Sequence, residues 1–340
     1  MTAGTRRGGG FAGPLAAAWL LATVSCHDPV EYDTTARSGV TRIRVADNAV
    51  LGTAEEILDG RSLCSLGNSQ FLVASGGGFL YRFDSEAMIL DTSFSIGFGS
   101  GAGYGAMALP KPGSVYVIGA AGKLIEVSLQ TNSVVDEFEA GPMPRALCST
   151  AANQRLFVAD GSDGRVREVD TGVNLVLRET EPLDALPVSL VAETFLDEYL
   201  LAGCPDPEGT VGRISLATFH SGALLLESPC SGLMAFPAES IWAAAHPDWS
   251  EPHGRVSICS NFYLPDVTVV PVAGHPVDIC SASGTTRFYV LSYLGGGSSR
   301  VTAVNYLTGG IDAEIDLDGF PWDITSHANG QYVLVLTSEL

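Results

Sequence analysis

The amino-acid sequence predicts an all-β fold in which one four-stranded sheet is repeated around a closed ring. A short apolar phrase recurs along the chain at intervals of about 41 to 45 residues. Each copy is followed by a polar turn, a second apolar run, a Gly-rich turn and two further strands. The last copy stops after two strands, and two unmatched strands stand at the other end of the chain. Together these observations predict a single seven-bladed β-propeller over residues 40–340.

The recurring phrase marks the innermost strand of each blade. Its five clear copies begin at Arg61, Arg145, Pro187, Pro276 and Pro321, and two degenerate copies begin near Tyr104 and Leu233. The second runs are apolar without interruption, as expected for strands that are covered by neighbouring blades on both faces. The outer strands alternate between polar and apolar residues because their edge meets solvent.

The two chain ends are predicted to share the last blade. Residues 40–47 and 50–57 have the pattern of third and fourth strands, but no first or second strand precedes them. The copy that begins at Phe320 supplies only a first and a second strand. Pairing these segments completes the seventh blade and leaves no open sheet edge inside the ring.

The repeat also resembles a known family. The phrase Pro-x-x-Ile, followed by aromatic-Val-Ala-Asp and then Gly-x-Val-x-x-Val-Asp, resembles the YVTN and YncE-like bacterial seven-bladed propellers and, more weakly, NHL repeats. The Trp-Asp blade endings of WD40 proteins are absent, since Trp322 and Asp323 stand at the start of a blade. The resemblance covers residues 40–340 and implies an extracytoplasmic propeller, but members of this group differ widely in function.

Residues 1–25 are predicted to be a lipoprotein-type signal peptide. Arg6 and Arg7 precede the apolar residues 14–24, which are too few to cross a bilayer as a permanent helix. Residues 21–26 resemble a bacterial lipobox, with Thr23 where leucine is usual, and the resemblance implies that Cys26 is acylated.

Cys26 and the polar residues up to 39 are then a flexible tether between the membrane and the propeller. We therefore expect a lipoprotein in the periplasm or on the cell surface, bound to the membrane only through its N-terminal lipid. An ordinary cleaved signal, which would give a secreted or soluble periplasmic protein, is the alternative.

Composition narrows the classes of partner. Hydrophobic residues make up 46% of the chain and charged residues 16%, so a large core can form. The formal net charge is −20, and no basic run follows residue 44. A nucleic-acid partner is therefore not expected. We expect a monomer that binds a protein, a peptide or a polysaccharide.

The cysteines suggest one possible disulfide. Cys64, Cys148 and Cys280 occupy the same innermost-strand position in blades that are not adjacent, so they are expected to be buried and unable to pair directly. Cys204 follows a second strand and Cys230 follows the fourth strand of the same blade. Both would lie on one face of the ring, where a bond between them is possible.

One candidate site is the mouth of the central channel. Arg61, Arg145, Asp278, Trp322 and Asp323 fall at equivalent or adjoining positions near the starts of innermost strands. They could hold a small polar ligand between arginines, with Trp322 as a stacking surface. The alternative is that they form ion pairs that fill the channel.

A catalytic channel is less favoured by the sequence. Among the residues that end the second strands only Asp160 is acidic, whereas a calcium ion takes six or more oxygen ligands. Asp160 opens the turn Asp-Gly-Ser-Asp-Gly, which favours a turn-capping role over catalysis, and its part in ligand binding is left open. No cofactor or metal is expected.

The third candidate is a long loop of blade five. His246, Asp248, Trp249, Glu251 and His253 lie in this loop, next to predicted insertions at residues 203–209 and 293–297. Trp249 would be an interaction anchor. Imidazole and carboxylate side chains could also bind a metal, which is the less favoured interpretation.

The sequence thus predicts a non-enzymatic envelope lipoprotein that serves as a binding or scaffold module. A lactonase-like or other hydrolase that uses the channel mouth is the alternative, based on Arg61, Arg145, Asp278 and Asp323.

Overall fold

A computed structural model of the protein describes residues 36–67, 69–97, 106–119, 122–150, 155–193, 198–236, 240–261, 265–327 and 329–339. The predicted signal peptide and Cys26 lie outside these ranges. Within them the regular structure is entirely β, and no helix is long and apolar enough to cross a membrane.

The described strands form seven sheets of four strands each. The first two strands in the chain, β1 (Arg37–Arg44) and β2 (Val50–Leu58), belong to the last blade. Blade one contains β3 (Gly60–Leu66), β4 (Gln70–Ser75), β5 (Phe79–Asp84) and β6 (Ile89–Ser95). Blade two contains β7 (Met107–Lys111), β8 (Ser114–Ile118), β9 (Lys123–Ser128) and β10 (Ser133–Glu139). Blade three contains β11 (Pro144–Thr150), β12 (Arg155–Asp160), β13 (Val166–Asp170) and β14 (Leu175–Glu179).

The second half of the ring continues in the same way. Blade four contains β15 (Ser189–Ala192), β16 (Tyr199–Gly203), β17 (Thr210–Ser215) and β18 (Ser221–Leu225). Blade five contains β19 (Gly232–Ala235), β20 (Trp242–His246), β21 (His253–Cys259) and β22 (Val267–Ala273). Blade six contains β23 (His275–Ser281), β24 (Arg287–Gly295), β25 (Ser298–Asn305) and β26 (Gly310–Asp318). Blade seven adds β27 (Phe320–Ser326) and β28 (Tyr332–Ser338) to the two N-terminal strands.

The chain ends close the ring as the repeat predicts. The strand order in blade seven is β2-β1-β28-β27, and β1 pairs antiparallel with β28 from Ser38 opposite Ser338 to Arg44 opposite Tyr332. Each innermost strand contacts that of the next blade, including β27 with β3. The fold is therefore a seven-bladed β-propeller, and the predicted closure is confirmed.

The core consists of apolar layers between adjacent blades. Every residue of β8 and β20 is buried, as expected for second strands that are covered on both faces. The outermost strand β6 instead alternates between exposed and half-buried residues. Trp242 is fully buried between blades four and five, where its indole Nε1 donates a hydrogen bond of 2.9 Å to the carbonyl oxygen of Asn261. Neighbouring blades thus stabilise each other, and a single blade has no core of its own.

One predicted insertion is an extended hairpin. Residues 293–297 were expected to form a loop of blade six, but β24 and β25 remain paired up to Gly295 opposite Ser298. Gly295, Gly296 and Gly297 have φ angles of 93°, 63° and 79°. Only glycine adopts this left-handed region without strain, so the three glycines let the hairpin turn at its tip.

Candidate functional site

The candidate site lies on one face of the ring, which we call the upper face. This face carries the connections from second to third strands and from fourth strands to the next blade. At its centre the innermost strands enclose a channel with a cavity of about 410 Å³. Arg61, Arg145, Asp278, Trp322 and Asp323 all line this cavity, so the structure brings the predicted channel residues together.

Backbone bulges bring these side chains to the channel. In blades one, three, six and seven the pairing of the first and second strands shifts by one residue near the start of the first strand. The extra residue is Arg61, Arg145, Val277 or Trp322. A bulge of this kind bends the strand and changes the direction of the inserted side chain.

Asp278 and Asp323 form a carboxyl pair that joins three blades. The Oδ2 atom of Asp278 accepts a hydrogen bond of 3.1 Å from the N–H of Ile324 in blade seven. The Oδ2 atom of Asp323 accepts one of 2.7 Å from the N–H of Leu63 in blade one. The two side chains are also hydrogen-bonded to each other. Each carboxyl group therefore ties its own blade to the next.

The surroundings of this pair favour protonation. Both side chains keep part of their surface exposed to the channel, but protein atoms enclose them elsewhere. Loss of hydration raises the pKa of Asp278 well above its usual value, and the charge of Asp323 raises it further. Burial also raises the pKa of Asp323, and the hydrogen bond from Leu63 opposes that rise. The pair therefore binds a proton more readily than two separate carboxyl groups in water would.

The arginines at the channel mouth already have partners inside the protein. Arg61 forms an ion pair with Asp59, and its guanidinium carbon lies 4.2 Å from the ring centroid of Trp322. The Nε1 atom of Trp322 donates a hydrogen bond of 2.7 Å to Ser338. Arg145 is buried and contacts the sulfur of Met143 at 3.7 Å. The ligand site and the channel-filling ion pairs both stay predictions for these residues.

Asp160 caps a turn and fixes its neighbours. It is fully buried, and its Oδ1 atom accepts hydrogen bonds of 2.9 and 2.7 Å from the N–H and the hydroxyl of Ser162. Its Oδ2 atom accepts one of 2.9 Å from the N–H of Met143 and lies 3.3 Å from Arg167. Burial alone would raise the pKa of Asp160, but these hydrogen bonds together hold it below its usual value. These contacts occupy both carboxylate oxygens.

His246 does not lie on the surface loop where the sequence analysis placed it. It is the last residue of β20 and is fully buried. Its Nδ1 atom lies 3.1 and 2.9 Å from the carbonyl oxygens of Ser228 and Pro229, and Nε2 lies 2.9 Å from the hydroxyl of Ser257. Burial lowers the pKa of His246, which favours the neutral ring. The reason lies in the connection between β18 and β19: the carbonyl oxygens of this segment need a donor, and the imidazole supplies it.

The rest of the blade five loop stays at the surface but does not form a metal site. Glu251 and His253 are exposed, and Asp248 is half-buried. The Oδ1 atom of Asp248 accepts hydrogen bonds from the N–H and the hydroxyl of Ser250, which lower the pKa of Asp248. Among the described residues, no three His, Cys, Asp or Glu side chains are grouped so that they could hold a metal ion.

A row of half-buried aromatic side chains borders the channel mouth, and we call it the aromatic arc. Its members are Trp249, His275, Tyr293, Phe320 and Trp322. Trp249 stacks on His275 with ring centroids 4.3 Å apart, and Phe320 lies 5.1 Å from Tyr293 and 5.2 Å from Trp322. His275 and Tyr293 are paired residues of β23 and β24, which makes the row continuous.

Three members of the arc were not among the site residues predicted from the sequence. His275 and Phe320 begin strands and Tyr293 lies near the end of one, and the strand propensity of tyrosine and phenylalanine alone explains such positions. Their recurrence on the same side of consecutive blades was the signal that could have found them.

Cys204 and Cys230 are neighbours without a disulfide. Both are fully buried, and the N–H of Cys230 donates a hydrogen bond of 3.0 Å to the carbonyl oxygen of Cys204. The two sulfur atoms are not bonded to each other in this structure. The disulfide stays a prediction.

Comparisons with known proteins identify the fold and no family. No protein-family model matches the chain, and no curated protein does. The fold is similar to that of hydrazine synthase from Kuenenia stuttgartiensis, with a TM-score of 0.72 and 15% identity over 83% of this chain and 95% of that one. It is also similar to U3-55K, with a TM-score of 0.68 and 11% identity over 87% and 99% of the two chains.

A third similar structure is that of the RRP9 WD40 repeats, with a TM-score of 0.67 and 11% identity over 88% of this chain and all of that one. At such identities the likeness concerns the β-propeller fold alone. The resemblance to YVTN and YncE-like proteins stays a prediction.

Proposed function

We propose that this protein is a non-catalytic binding module that captures a protein, peptide or polysaccharide on the upper face of its propeller. We further propose that an acylated Cys26 holds it at a membrane outside the cytoplasm. The observation that supports binding is the aromatic arc. Five half-buried rings in a continuous row expose apolar and π surface next to a cavity, and such surfaces are typical of recognition sites.

The rigidity of the arc supports the same function. The indole of Trp322 is fixed by Ser338, and Trp249 is fixed by stacking on His275. Side chains that are held in place before binding lose little conformational entropy when a partner arrives.

Site-specific photo-cross-linking in the cells that make the protein tests the binding face. Leu294, beside Tyr293, is 36% exposed, and Leu307, in the turn of the same blade on the opposite face, is 67% exposed. A photoreactive phenylalanine analogue at 294 should give a discrete cross-linked species, and the same analogue at 307 should not. Equal cross-linking at both positions, or none at either, would reject the upper face as the binding surface.

The membrane proposal has its own test. Mass spectrometry of the mature N-terminus should find a lipid on Cys26, and Cys26→Ser should release the protein from the membrane fraction. A mature chain that starts elsewhere without lipid would reject acylation.

A hydrolase that uses the channel is the second candidate, and the pair of Asp278 and Asp323 is the observation that favours it. Two carboxyl groups that share a proton can act as an acid and a base. The purified protein should be assayed against lactones and esters with and without calcium, next to Asp323→Asn. Turnover that Asp323→Asn abolishes would establish this function, and no turnover by the wild type would exclude it for those substrates.

A further inference from the structure

The rim of the aromatic arc is acidic. Four carboxylates stand beside it on the upper face: Asp248 and Glu251 in the blade five loop, Asp318 at the end of β26, and Glu339 after β28. None of the four belongs to an ion pair within the part of the chain that the structure describes. Three are exposed, and Asp248 is half-buried.

Few positive groups offset this rim. Arg61 is neutralised by Asp59, and Arg300 is paired with Glu314 and Asp316. Two guanidinium groups on this side of the ring have no ion pair among the described residues: the exposed Arg37, next to Glu339, and the half-buried Arg255, whose charge contributes to lowering the pKa of Asp248. The net charge of the whole chain, −20, has the same sign as the rim. A positively charged partner would therefore be attracted both at long range and at contact.

The rings of the arc can also bind cations directly. The face of an aromatic ring attracts a guanidinium or ammonium group that lies within about 6 Å of its centroid. The arc already contains one such contact, because the guanidinium of Arg61 lies over Trp322. A partner with basic side chains would repeat this contact on the other rings.

We propose that the aromatic arc binds an extended peptide segment that carries lysine or arginine side chains. This inference rests on the proposed binding function and specifies its partner. The aliphatic stems of such side chains would cover the half-buried rings, while the charged groups would reach the carboxylates of the rim.

The negative charge of the rim also disfavours other occupants. A second copy of this chain would bring another net charge of −20. Residues 27–35 of the chain itself contain Asp28, Glu31 and Asp33, which the rim would repel. A neutral polysaccharide gains no electrostatic attraction from the rim. Its binding is one of the outcomes that the test below can detect.

The test is selection from a library of random twelve-residue peptides displayed on phage, with the full mature chain as bait. Peptides recovered by the wild type should be enriched in lysine and arginine over aspartate and glutamate. Their affinity should fall as salt is raised from about 50 to 500 mM, because screening weakens contacts between exposed charges. An oligosaccharide of N-acetylglucosamine serves as the carbohydrate competitor, and it should not displace the recovered peptides from the wild-type chain.

Matched variants locate the binding. Trp249→Ala should weaken a recovered peptide about tenfold, which corresponds to the loss of one cation–π contact of ordinary strength. Leu294→Lys should weaken it roughly fivefold through repulsion, whereas Leu307→Lys on the opposite face should leave the affinity unchanged. Thermal unfolding midpoints close to that of the wild type would show that the variants fold.

The outcomes separate the two proposals. Neutral or acidic peptides, competition by the oligosaccharide, or binding that survives both Trp249→Ala and Leu294→Lys would overturn the basic-peptide proposal. If position 294 still cross-links to a partner in cells, the binding function stands and only its partner class is wrong. If neither experiment finds a partner on the upper face, both proposals fail.

Discussion

The two halves of the ring use different side chains at the same structural position. The position is the channel-lining residue of the first strand whose partner in the second strand is Leu291 in blade six, Leu336 in seven, Ala74 in one, Ala159 in three, Ala202 in four and Ala244 in five. In blades six, seven and one it is occupied by Asp278, Asp323 and Ser62. In blades three, four and five it is occupied by Ala146, Leu190 and Leu233. We call these halves polar and apolar.

The upper face also carries different side chains over the polar half and over the apolar half. Most of the aromatic arc stands over the polar half. The upper connections of blades three and four, at residues 161–165, 180–188 and 204–209, contain no aromatic residue. The scaffold is the same in both halves, so the two halves differ in side-chain chemistry and not in fold.

The largest expected effect comes from two tryptophans with different environments. Trp242 fills the layer between blades four and five, and Trp249 lies on the arc. Trp242→Ala should lower the free energy of unfolding by about 3–5 kcal/mol because it leaves a large cavity. Trp249→Ala should lower it by about 1 kcal/mol or less. Denaturant unfolding measures both, and equal losses would mean that the arc is part of the core.

The next effect concerns the apolar half alone. Oxidation that joins Cys204 to Cys230 should raise the free energy of unfolding by about 2–4 kcal/mol, since the bond closes a loop in the unfolded chain. Unfolding is compared with and without reductant, and the bond is identified by mass spectrometry of peptides. Cys204→Ser is the control, and it should remove the effect of the reductant. An effect that persists in this variant would place the bond elsewhere.

The carboxyl pair predicts a pH effect in the polar half. Because the folded pKa of Asp278 is raised, its contribution to stability is complete below about pH 4, where the unfolded carboxyl group is also protonated. This contribution is lost as the pH rises from there through the folded pKa. Asp278→Asn keeps an acceptor for Ile324 and a donor for Asp323. Between pH 4 and 8 the free energy of unfolding of this variant should therefore fall by about 1–2 kcal/mol less than that of the wild type.

The control for this variant is Asp266→Asn, which removes a charge from an exposed carboxylate. It should leave the slope of stability against pH close to that of the wild type. A parallel change in both variants would assign the effect to net charge and not to the pair.

The smallest effect compares two glycines. Gly296, at the tip of the blade six hairpin, has a φ of 63°, so Gly296→Ala should cost about 1 kcal/mol. Gly222 in β18 has no atom within 4 Å of the position where a Cβ would stand, and its φ is outside the left-handed region. Gly222→Ala should therefore be neutral within about 0.5 kcal/mol. Thermal unfolding measures the loss of stability in both variants, and equal losses would contradict the proposed strain at position 296.

Much of the fold could be predicted because the blades repeat. The spacing of Arg61, Arg145 and Pro276 fixes the innermost strands, and the unmatched segment 40–57 indicates ring closure. The clustering of Asp278 and Asp323 at the channel follows from the same alignment.

The details of the site depend on contacts between blades, which an alignment of repeats does not contain. His246 was placed on the surface because its burial depends on carbonyl oxygens that another segment presents. The hairpin at Tyr293 was expected to be a loop because glycines are common both in long loops and in the turns of hairpins. The arc was missed because stacking of Trp249 on His275 joins residues from different blades.

The shared blade also sets an orientation. β1 begins beside the end of β28, so Ala36 emerges on the upper face, near Trp322. If Cys26 carries a lipid as proposed, the nine residues between it and Ala36 leave ten Cα–Cα steps, which extend over at most about 35 Å. The mouth of the channel would then be held close to the bilayer, and only a thin or membrane-proximal partner could enter the gap. A longer tether would admit bulkier partners, so the length of the tether limits which partners the protein can bind.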